Sequence, residues 1–589
     1  MLLLSPTGPR GWFGGSAIRA QAARHFVREA TLAEAGEALE AAFDGRDPAL
    51  VAVLLTYEGV ATIVRFESWE EGVSDPVMDA RVEPHRALVS DSASAVTAHA
   101  YRAGVRAVRD SVVAGDVYVL NLTYQVTGRI ALSSADATFA ALRERAGAEM
   151  SAFLEMPGLA VASVSPERFL RVVDDPGTGV REVEVWPIKG TRPRGADPAA
   201  DRAFCAELLA SEKERSEHVM VVDMERNDLG RVCEPGSVRV EPLFEVVTTP
   251  YCHQMVSRVA GTLRAEATIP DLLAAAFPCG SVTGAPKVAA MRIAAELEGM
   301  PRGAYTGALL VAREGEIDSS VLIRTAVIEE GRLAWGTGAG VTSDSDPAGE
   351  WLETLLKASP LLGDPAPPVA LRETCRVASD GSVPLLDYHL ARLTAGGCGR
   401  SVLARVRAQV AATLASRDSN REQRLAVSVA PDGGVTCESS DRASSLAVVG
   451  LPVAVPVPVA AVPALPPGAS KPADRSAWDA AQAQAGSDAQ AVLVTADGTL
   501  IDGANASVWL RRGSELLTPP APPAVAGVAR EVVFDLAVKC GFTAAEAHLT
   551  TCDLAAADEV FFTNAYAGVV AARGRGGEAA GLLGKGWPW

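Results

Sequence analysis

The chain has 589 residues, of which 48% are hydrophobic and 21% are charged, enough apolar material for two or three globular domains with separate cores. This composition excludes a disordered or fibrous protein. The formal net charge of -18 argues against nucleic acid or an anionic membrane as a partner, because no run of Lys and Arg supplies a basic patch. The nine cysteines form no CxxC pair and the seven histidines have no metal-ligand spacing, so neither a disulfide framework nor a zinc site is predicted, and a reducing cytoplasm fits best.

Two apolar segments are candidates for membrane association, and neither predicts it. The start of the chain, MLLLSPTGPRGW, has too short an apolar run for a signal peptide. The longest apolar stretch, residues 446–468, carries six prolines, which are incompatible with a spanning helix. We therefore expect a soluble protein.

Alternating apolar and polar residues predict strands in the first 362 residues, at REVEVWPI (181–188), ALLVARE (308–314) and LAWGTGAG (333–340). Helical spacing of apolar residues predicts one long helix over 201–228 and a shorter one in DLLAAAFP (271–278). The first region therefore mixes helices and strands.

Clustered prolines in SPLLGDPAPPVALRE (359–373) predict a linker, which we place at 363–368 between domains 1–362 and 369–589. The second domain alternates helices and strands, a pattern typical of an α/β domain. Its predicted helices are WDAAQAQAG (478–486) and AREVVFDLAVKCG (529–541), and its predicted strands are AVLVT (491–495), TLIDG (499–503) and EVFFTN (559–564).

Two ExxE pairs are candidate metal ligands: Glu214 with Glu217, and Glu350 with Glu353. Residues three apart share a helix face, so each pair can present two carboxylates to a hard cation such as Mg²⁺. A solvated helix face is the alternative, and it is the commoner one for an isolated acidic pair.

Two glycine-rich segments offer backbone N–H groups to an anion. In GSVTGAPKVAAM (280–291) the glycines precede a helix, and in GTGAGVTSDSD (336–346) they are clustered. The first segment is not a Walker A loop, because it lacks the GK[ST] ending. A helix-entry turn and a glycine-rich hairpin are the respective alternatives.

Several motifs, in their order along the chain, resemble those of the chorismate-utilising family. This family includes anthranilate, isochorismate, salicylate and aminodeoxychorismate synthases. The resemblance covers about residues 100–360 and predicts an α+β fold with an antiparallel β-sandwich core flanked by helices. The motifs are GDVYVLNLTY (115–124), PIKGT (187–191), EHVMVVDMERNDLGRV (217–232), AFPCGSVTGAPKVAAM (276–291), IRT (323–325), GAGVTSDS (338–345) and EWLETLLKA (350–358).

The resemblance implies chorismate as substrate and Mg²⁺ as its counter-ion. Glu217 and Glu353 match the metal ligands, and Glu214 and Glu350 stand beside them as support. A divalent ion offsets carboxylates on both sides. The family's other substrate contacts match Thr283, Tyr305, Arg324, the backbone at Gly338 and Gly340, and Lys357.

Lys189, in the PIKGT motif, indicates which of the family's reactions the resemblance implies for this chain. Anthranilate synthases typically have alanine at this position, whereas aminodeoxychorismate synthases have a lysine that attacks the ring as a nucleophile. The resemblance therefore predicts amination of chorismate to 4-amino-4-deoxychorismate, with an anthranilate synthase component I-like enzyme as the alternative. Gln254 stands where many relatives have histidine, and His253, one residue earlier, receives no role.

The amination needs a source of ammonia. Cys398, in GGCGRS (396–401), lacks the strand-elbow context and the partners of a glutaminase nucleophile, so we interpret it as structural. A separate glutamine amidotransferase subunit is the expected partner.

The second domain resembles the fold-type IV pyridoxal-phosphate enzymes, which include aminotransferases and 4-amino-4-deoxychorismate lyase. The motifs are RETCRVASDGSVPLLDYHLARLTAGGCG (372–399), SKPADRSAWDAAQA (470–483), DGTLIDGANASVWL (497–510), AVAGVAREVV (524–533) and EVFFTNAYAGVVAARG (559–574). The resemblance implies pyridoxal 5'-phosphate as cofactor and a homodimer as a possible assembly. Lys471 matches the Schiff-base lysine, and the other cofactor contacts match Arg392, Asp502, Val528, Thr563 and Asn564.

Asp502 departs from the family, which usually has glutamate opposite the pyridine nitrogen. Pathway logic favours a lyase that releases pyruvate and gives 4-aminobenzoate, since the first domain would supply its substrate. A C-terminal domain that only binds or scaffolds is the alternative.

Overall fold

The computed structural model describes the chain except for residues 7, 9, 22, 24, 73–86, 176, 195–197, 249–251, 417–420, 442–451, 457–464, 466–469, 487–488, 573–576 and 589. The chain divides into two compact units, Met1–Gly363 and Asp364–Trp589. Among the described residues, no helix combines the length and the hydropathy needed to cross a membrane.

Strands dominate the first unit. Their bounds are β1 (Leu2–Leu4), β2 (Ile18–Ala20), β3 (His25–Ala30), β4 (Leu50–Leu55), β5 (Ala61–Phe66), β6 (Trp69–Glu71), β7 (Val89–Ser94), β8 (Val119–Ile130), β9 (Met150–Met156), β10 (Leu159–Ser165), β11 (Arg168–Asp175), β12 (Val180–Val185), β13 (Ile188–Pro193), β14 (Arg239–Val240), β15 (Glu245–Thr248), β16 (Cys252–Val256), β17 (Val259–Thr262), β18 (Gly284–Ala285), β19 (Ala308–Arg313), β20 (Glu316–Val321), β21 (Thr325–Glu329) and β22 (Arg332–Val341). The helices are α1 (Trp12–Gly15), α2 (Leu32–Phe43), α3 (Ala98–Ala114), α4 (Ala135–Ala146), α5 (Pro198–Ala210), α6 (Glu212–Gly230), α7 (Ile269–Ala276), α8 (Lys287–Glu298) and α9 (Pro347–Leu362).

Two large antiparallel sheets form the centre of this unit. One has the order β18-β8-β22-β21-β10-β9-β1-β2-β6, with β7 also on β8, and the other has the order β14-β17-β12-β11-β20-β19-β4-β5-β3. Strand β4 is buried on both faces: Leu50, Ala52 and Leu54 face the core between the sheets, whereas Val51 and Val53 face a second core. The period of two along a strand separates these two sets.

Helices cover the outer face of each sheet. Leu39 of α2 and Leu273 of α7 pack into the core on one side, and Leu142 of α4 and Leu361 of α9 pack on the other. The unit is therefore a β-sandwich flanked by helices, which confirms the predicted fold class.

The predicted long helix over 201–228 is wrong in one respect, because the structure divides it into α5 and α6 at Ser211. The Ser211 hydroxyl accepts a hydrogen bond from the Glu214 N–H, so it caps α6 as a new helix. The predicted strand over 181–188 is likewise divided, since β12 ends at Val185 and β13 begins at Ile188. Strand β13 belongs to a small third sheet, in the order β13-β16-β15.

The second unit is a mixed α/β domain. Its strands are β23 (Leu371–Val377), β24 (Gln423–Val429), β25 (Val435–Asp441), β26 (Pro452–Pro456), β27 (Gln490–Val494), β28 (Leu500–Gly503), β29 (Ser507–Arg512), β30 (Glu515–Thr518), β31 (Thr543–Glu546), β32 (Glu559–Asn564) and β33 (Gly568–Ala571). Its helices are α10 (Leu386–Ala395), α11 (Arg400–Ala415), α12 (Ser476–Ala485), α13 (Val528–Ala537), α14 (Thr551–Ala556) and α15 (Glu578–Lys585).

Three sheets build this unit, in the orders β23-β24-β25, β26-β27-β28 and β31-β30-β29-β32-β33. The pairs β26–β27 and β30–β31 are parallel and the remaining pairs are antiparallel. Helix α13 packs on the last sheet, where Val533 meets Trp509 and Phe561 in one apolar core.

Candidate active sites

An irregular strand carries Lys189. The pairing of β13 with β16 shifts register between Ile188 and Thr191, and Gly190, inside this irregularity, has φ +84°. A Cβ at Gly190 would lie 2.9 Å from Leu208 Cδ1 and 3.1 Å from Glu214 Oε2. The positive φ therefore favours glycine beside the lysine, and side chains of both α5 and α6 approach this position closely.

The Lys189 amine lies against β22. A Cβ added to Gly340 would lie 3.3 Å from Lys189 Nζ and 3.3 Å from Asn121 Oδ1. The Asn121 side chain donates to the carbonyl of Ser281 at 3.0 Å, and its backbone N–H donates to the carbonyl of Thr283 at 2.8 Å. The lysine, the glycine-rich strand and the turn at 280–283 are thus held together.

Glu167, between β10 and β11, is a site residue that the sequence analysis missed. It is only 4% exposed, and its Oε1 atom has no hydrogen-bond partner among the described residues. Burial raises the pKa of Glu167, against the opposing effects of a hydrogen bond from Ser281 and the positive charges of Lys189 and Lys357. A charged residue between two apolar strands, in VSPERFL (164–170), was the signal available in the sequence.

Helix α9 brings the predicted Lys357 to the same region. Lys357 Nζ donates to the carbonyl of Gly338 at 2.9 Å and forms an ion pair with Glu353 at 2.7 Å. Glu350, on the same helix, is buried and lies close enough to Tyr101 to help raise the pKa of that phenol, although burial is the larger cause. Gly338, Lys357, Glu167 and Lys189 therefore belong to one neighbourhood.

The four predicted Mg²⁺ ligands offer the right donor chemistry, since carboxylate oxygens suit a hard cation. Among the residues that the structure describes, however, no group of three or more acidic, His or Cys side chains is arranged to hold a metal. Glu214 forms an ion pair with Arg192 at 3.1 Å, and Glu353 pairs with Lys357. Arg192 is half-buried between Glu214 and Glu207.

Three predicted substrate contacts of this unit remain: Tyr305, Thr283 and Arg324. Tyr305 is buried with its ring against β22, where a Cβ at Gly336 would approach within 1.9 Å of the Tyr305 Cγ atom. The Thr283 hydroxyl donates to the carbonyls of Cys279 and Gly280, at 3.2 and 3.1 Å.

Arg324 lines a narrow cleft that Ile188 and Gln254 also line. His253 is held away from it, with Nε2 2.9 Å from Asp201 and Nδ1 2.9 Å from the Thr248 hydroxyl. The geometry therefore gives Gln254, rather than His253, the position toward the cleft.

A buried acidic residue supports the turn at 280–283. Glu225 is 1% exposed, its Oε1 atom accepts from Gly280 N at 3.1 Å, and its Oε2 atom has no hydrogen-bond partner in the described part of the chain. Burial raises the pKa of Glu225 to about 7; the charge of Asp228 adds to the effect and that of Lys287 opposes it. This residue was not predicted from the sequence.

The second unit contains a cavity of about 600 Å³. All six predicted cofactor contacts line it, although they come from five separated segments of the chain: Arg392, Lys471, Asp502, Val528, Thr563 and Asn564. Lys471 Nζ is 3.4 Å from the Thr374 hydroxyl, and burial, helped by the charges of Arg475 and Arg392, lowers the pKa of Lys471 to about 7. A substantial fraction of this amine is therefore neutral near pH 7.

Asp502 and the start of α13 occupy other parts of the cavity wall. The Asp502 carboxylate accepts from the N–H groups of Gly503 and Val525, and burial raises its pKa to about 6 against the charge of Arg530. Gly527 precedes α13, and a Cβ there would lie 2.6 Å from Ser507 Oγ. The free N–H groups of the first turn of α13 suit a phosphate.

Arg392 is held in place by a buried carboxylate. Its Nε donates to Glu373 at 2.8 Å, its terminal nitrogens contact Glu373 and the carbonyl of Ala526, and His389 Nδ1 lies 2.6 Å from the same carboxylate. A buried lysine, an acid, an arginine and a helix start around one cavity fit pyridoxal phosphate.

Comparison with known proteins finds a matching family model for each of the two units. Residues 43–363 match the family model described as chorismate binding enzyme, and residues 370–574 match amino-transferase class IV. The chain is 48% identical over 265 residues to an aminodeoxychorismate synthase of Streptomyces pristinaespiralis, covering 44% of this chain and 36% of the relative. It is 38% identical over 289 residues to anthranilate synthase component 1 of Geobacillus stearothermophilus, covering 49% of this chain and 56% of the relative.

The chain thus spans between about a third and just over a half of the length of these curated relatives. A crystal structure of anthranilate synthase component I from Streptococcus pneumoniae matches the fold with a TM-score of 0.50 at 23% identity, covering 59% of this chain and 92% of that one. Since the matched family model covers more than half of the residues, the chain belongs to the family of chorismate binding enzymes.

Proposed function

We propose that the chain makes 4-aminobenzoate in two steps: the first unit aminates chorismate to 4-amino-4-deoxychorismate, and the second eliminates pyruvate. The observation that carries the first step is the Lys189 amine beside Gly340 and the buried acid Glu167. The relatives named aminodeoxychorismate synthase support the same reaction.

In the first step, the Lys189 amine is the nucleophile. Its nitrogen bonds to ring carbon C2 while the C4–oxygen bond breaks, and the C4 hydroxyl leaves as water. Glu167 is the candidate donor of the proton that this leaving group needs, because burial favours its protonated form. Ammonia then bonds to C4 and the bond between C2 and Lys189 breaks, which restores the free amine.

Positive groups offset the two carboxylates of chorismate in a chain with net charge -18. Arg324 is a fork-shaped donor suited to one carboxylate, and Lys357 supplies a point charge. Mg²⁺ held by Glu217 and Glu353, with Glu214 and Glu350 in support, would add charge at the other carboxylate. Binding the metal requires that Glu214 and Glu353 exchange their present partners, Arg192 and Lys357.

In the second step, the cavity around Lys471 would hold pyridoxal phosphate. Arg392, the N-terminus of α13 and the residues Thr563 and Asn564 would bind its phosphate, and Asp502 would face its ring nitrogen. The bound cofactor supplies an electron-accepting ring. Lys471, with a pKa of about 7, is suited to move a proton at neutral pH.

Ammonia is proposed to come from a separate glutamine amidotransferase. Cys398 is buried, and burial raises the pKa of its thiol to about 12, so it is a poor nucleophile. All nine cysteines are free thiols, which supports a cytoplasmic location.

Product analysis tests both steps with reciprocal variants. With chorismate, ammonium and Mg²⁺ the wild-type protein should form 4-amino-4-deoxychorismate, and 4-aminobenzoate once pyridoxal phosphate is added. Lys189→Ala should abolish amination but keep cofactor binding, and Lys471→Ala should do the reverse. Formation of anthranilate by the wild-type protein would instead establish the alternative suggested by the Geobacillus relative.

A scaffold role for the second unit is tested by the cofactor itself. Pyridoxal phosphate should give an absorbance band near roughly 410–430 nm with the wild-type protein and none with Lys471→Ala. Absence of the band from the wild-type protein would leave only a binding role. Light scattering of the same samples would report whether a homodimer forms.

A further inference from the structure

One wall of the cavity in the second unit is the polar face of two paired strands. Along β23, Leu371, Glu373, Cys375 and Val377 are buried, so the alternate residues Arg372 and Thr374 face the other way and line the cavity. Strand β24 alternates in the same sense: Leu425, Val427 and Val429 are buried, and Arg424 lines the cavity.

The two arginines stand on either side of Thr374, whose hydroxyl accepts a hydrogen bond from Lys471. Thr374 pairs with Ala426 across the two strands, Arg372 precedes Thr374 by two residues, and Arg424 precedes Ala426 by two residues on the antiparallel strand. At about 3.4 Å per residue, each arginine is displaced about 7 Å along the sheet from this pair, in opposite directions. The Thr374 hydroxyl is 3.4 Å from Lys471 Nζ.

Neither arginine has an acidic partner among the described residues. In the part of the chain that the structure describes, Arg372 and Arg424 have no acidic side chain within ion-pair distance, whereas Arg392 and Arg376 are paired with Glu373 and Glu422.

The cavity as a whole is cationic. Counted over the described residues, its lining contains four arginines and Lys471 against two acids, Asp479 and Asp502. Arg392 has a structural partner in Glu373, and Arg475 contacts the Ala504 carbonyl and lies 5.5 Å from the centre of the Trp478 ring. Arg372, half-buried, and Arg424, exposed at the mouth, are left to bind a ligand.

We infer that Arg372 and Arg424 form a binding site for a substrate with two carboxylates, one on each side of the group that reacts at Lys471. Each guanidinium can bind a carboxylate through two hydrogen bonds. The inference rests on the proposed function, since 4-amino-4-deoxychorismate carries a ring carboxylate and an enolpyruvyl carboxylate. It goes further by assigning the residues and by excluding amino acids with an apolar side chain as preferred substrates.

Calorimetric titration with isophthalate and benzoate tests this site without any turnover. Isophthalate carries two carboxylates on one ring and benzoate carries one. The wild-type protein loaded with pyridoxal phosphate should bind isophthalate at least about tenfold more tightly, and Arg372→Gln or Arg424→Gln should remove this preference, because a hydrogen bond to a charged group is typically worth about a factor of ten or more.

Three controls keep the result interpretable. Arg407→Gln makes the same charge change on α11, where Arg407 pairs with Asp387 outside the cavity, and should bind both ligands like the wild type. Arg372→Lys should restore part of the preference. The cofactor absorbance band should persist in every variant, which shows that the fold is intact.

Equal affinity of the wild-type protein for the two ligands would overturn the inference, and so would an unchanged preference in both glutamine variants. Failure of the proposed lyase would look different: the product would be absent, while the preference for isophthalate would still depend on the two arginines. The titration is repeated without cofactor so that a failure to bind pyridoxal phosphate does not prevent the test.

Discussion

Replacing Gly190 with alanine tests whether the backbone at this position orients the Lys189 side chain, separately from its effect on the stability of the fold. Gly190 has φ +84°, a conformation that costs an alanine about 1–2 kcal/mol. The added methyl group would also lie 2.9 Å from Leu208 Cδ1 and 3.1 Å from Glu214 Oε2. Relief of this crowding should cost about 1 kcal/mol more and move the backbone next to the nucleophile.

Gly158 provides a matched control in the turn between β9 and β10. It has φ +81° but nothing within 4 Å of the position of an added Cβ. Gly158→Ala should therefore lose only the conformational part of the stability, about 1–2 kcal/mol, and keep full activity. Gly190→Ala should lose more stability, and its kcat for amination should fall about tenfold to a hundredfold, because a misplacement of about 1 Å can have that effect.

The assays are urea unfolding, followed by tryptophan fluorescence, and ammonia-dependent consumption of chorismate. Both variants are measured at the same protein concentration and with saturating chorismate, so that the comparison concerns kcat. If Gly190→Ala matches Gly158→Ala in both stability and kcat, the close approach of α5 and α6 does not position Lys189, and the reasoning from the local geometry is refuted.

Three further predictions concern titration and metal binding. Because the pKa of Glu225 is raised to about 7, the folded state binds more protons than the unfolded chain between about pH 4.5 and 7. The free energy of unfolding should therefore fall by about 3 kcal/mol as pH rises through this window. Glu225→Gln should make the free energy of unfolding in urea nearly independent of pH there, and an unchanged pH dependence would contradict the assignment. Since the pKa of Lys471 is about 7, the rate at which pyridoxal phosphate develops its absorbance band should rise about tenfold from pH 6 to 8, and a flat profile would show that the amine is not limiting. Glu217→Gln and Glu353→Gln should each raise the Mg²⁺ concentration needed for half-maximal amination about tenfold or more without changing cofactor binding in the second unit, and an unaltered requirement for Mg²⁺ would remove them as ligands.

The agreement between sequence and structure is best where the local pattern is strong. The predicted strand at 559–564 coincides with β32, and the predicted strand at 308–314 is β19 with one residue fewer. Both are apolar segments between turns, so their own periodicity defines them. Residues 201–228 have an equally clear helical spacing of apolar residues, but this spacing does not show that the segment forms two helices. A single serine in a cap position hardly changes the periodicity.

The candidate site residues also fall into those that a local motif predicts and those that it does not. Motifs alone pointed to Lys189 and Lys471, because each is a lysine at a defined position within an ordered set of segments. Glu167 and Glu225 were missed because their significance comes from burial beside groups 22 and 55 residues away in the chain, Lys189 and Gly280, which no local pattern records.

By itself, the sequence predicted two domains of different class and, through its resemblance to two families, the nucleophile candidates and the cofactor contacts, since these predictions depend on residue types in a fixed order. Only the tertiary structure decided which charges are neutralised. It pairs Glu214 with Arg192 and Arg392 with Glu373, and among the residues it describes it places no acidic partner beside Arg372 and Arg424 on the wall of the second cavity. The physical reason is that an ion pair depends on distances across the fold, whereas a motif records only neighbours along the chain.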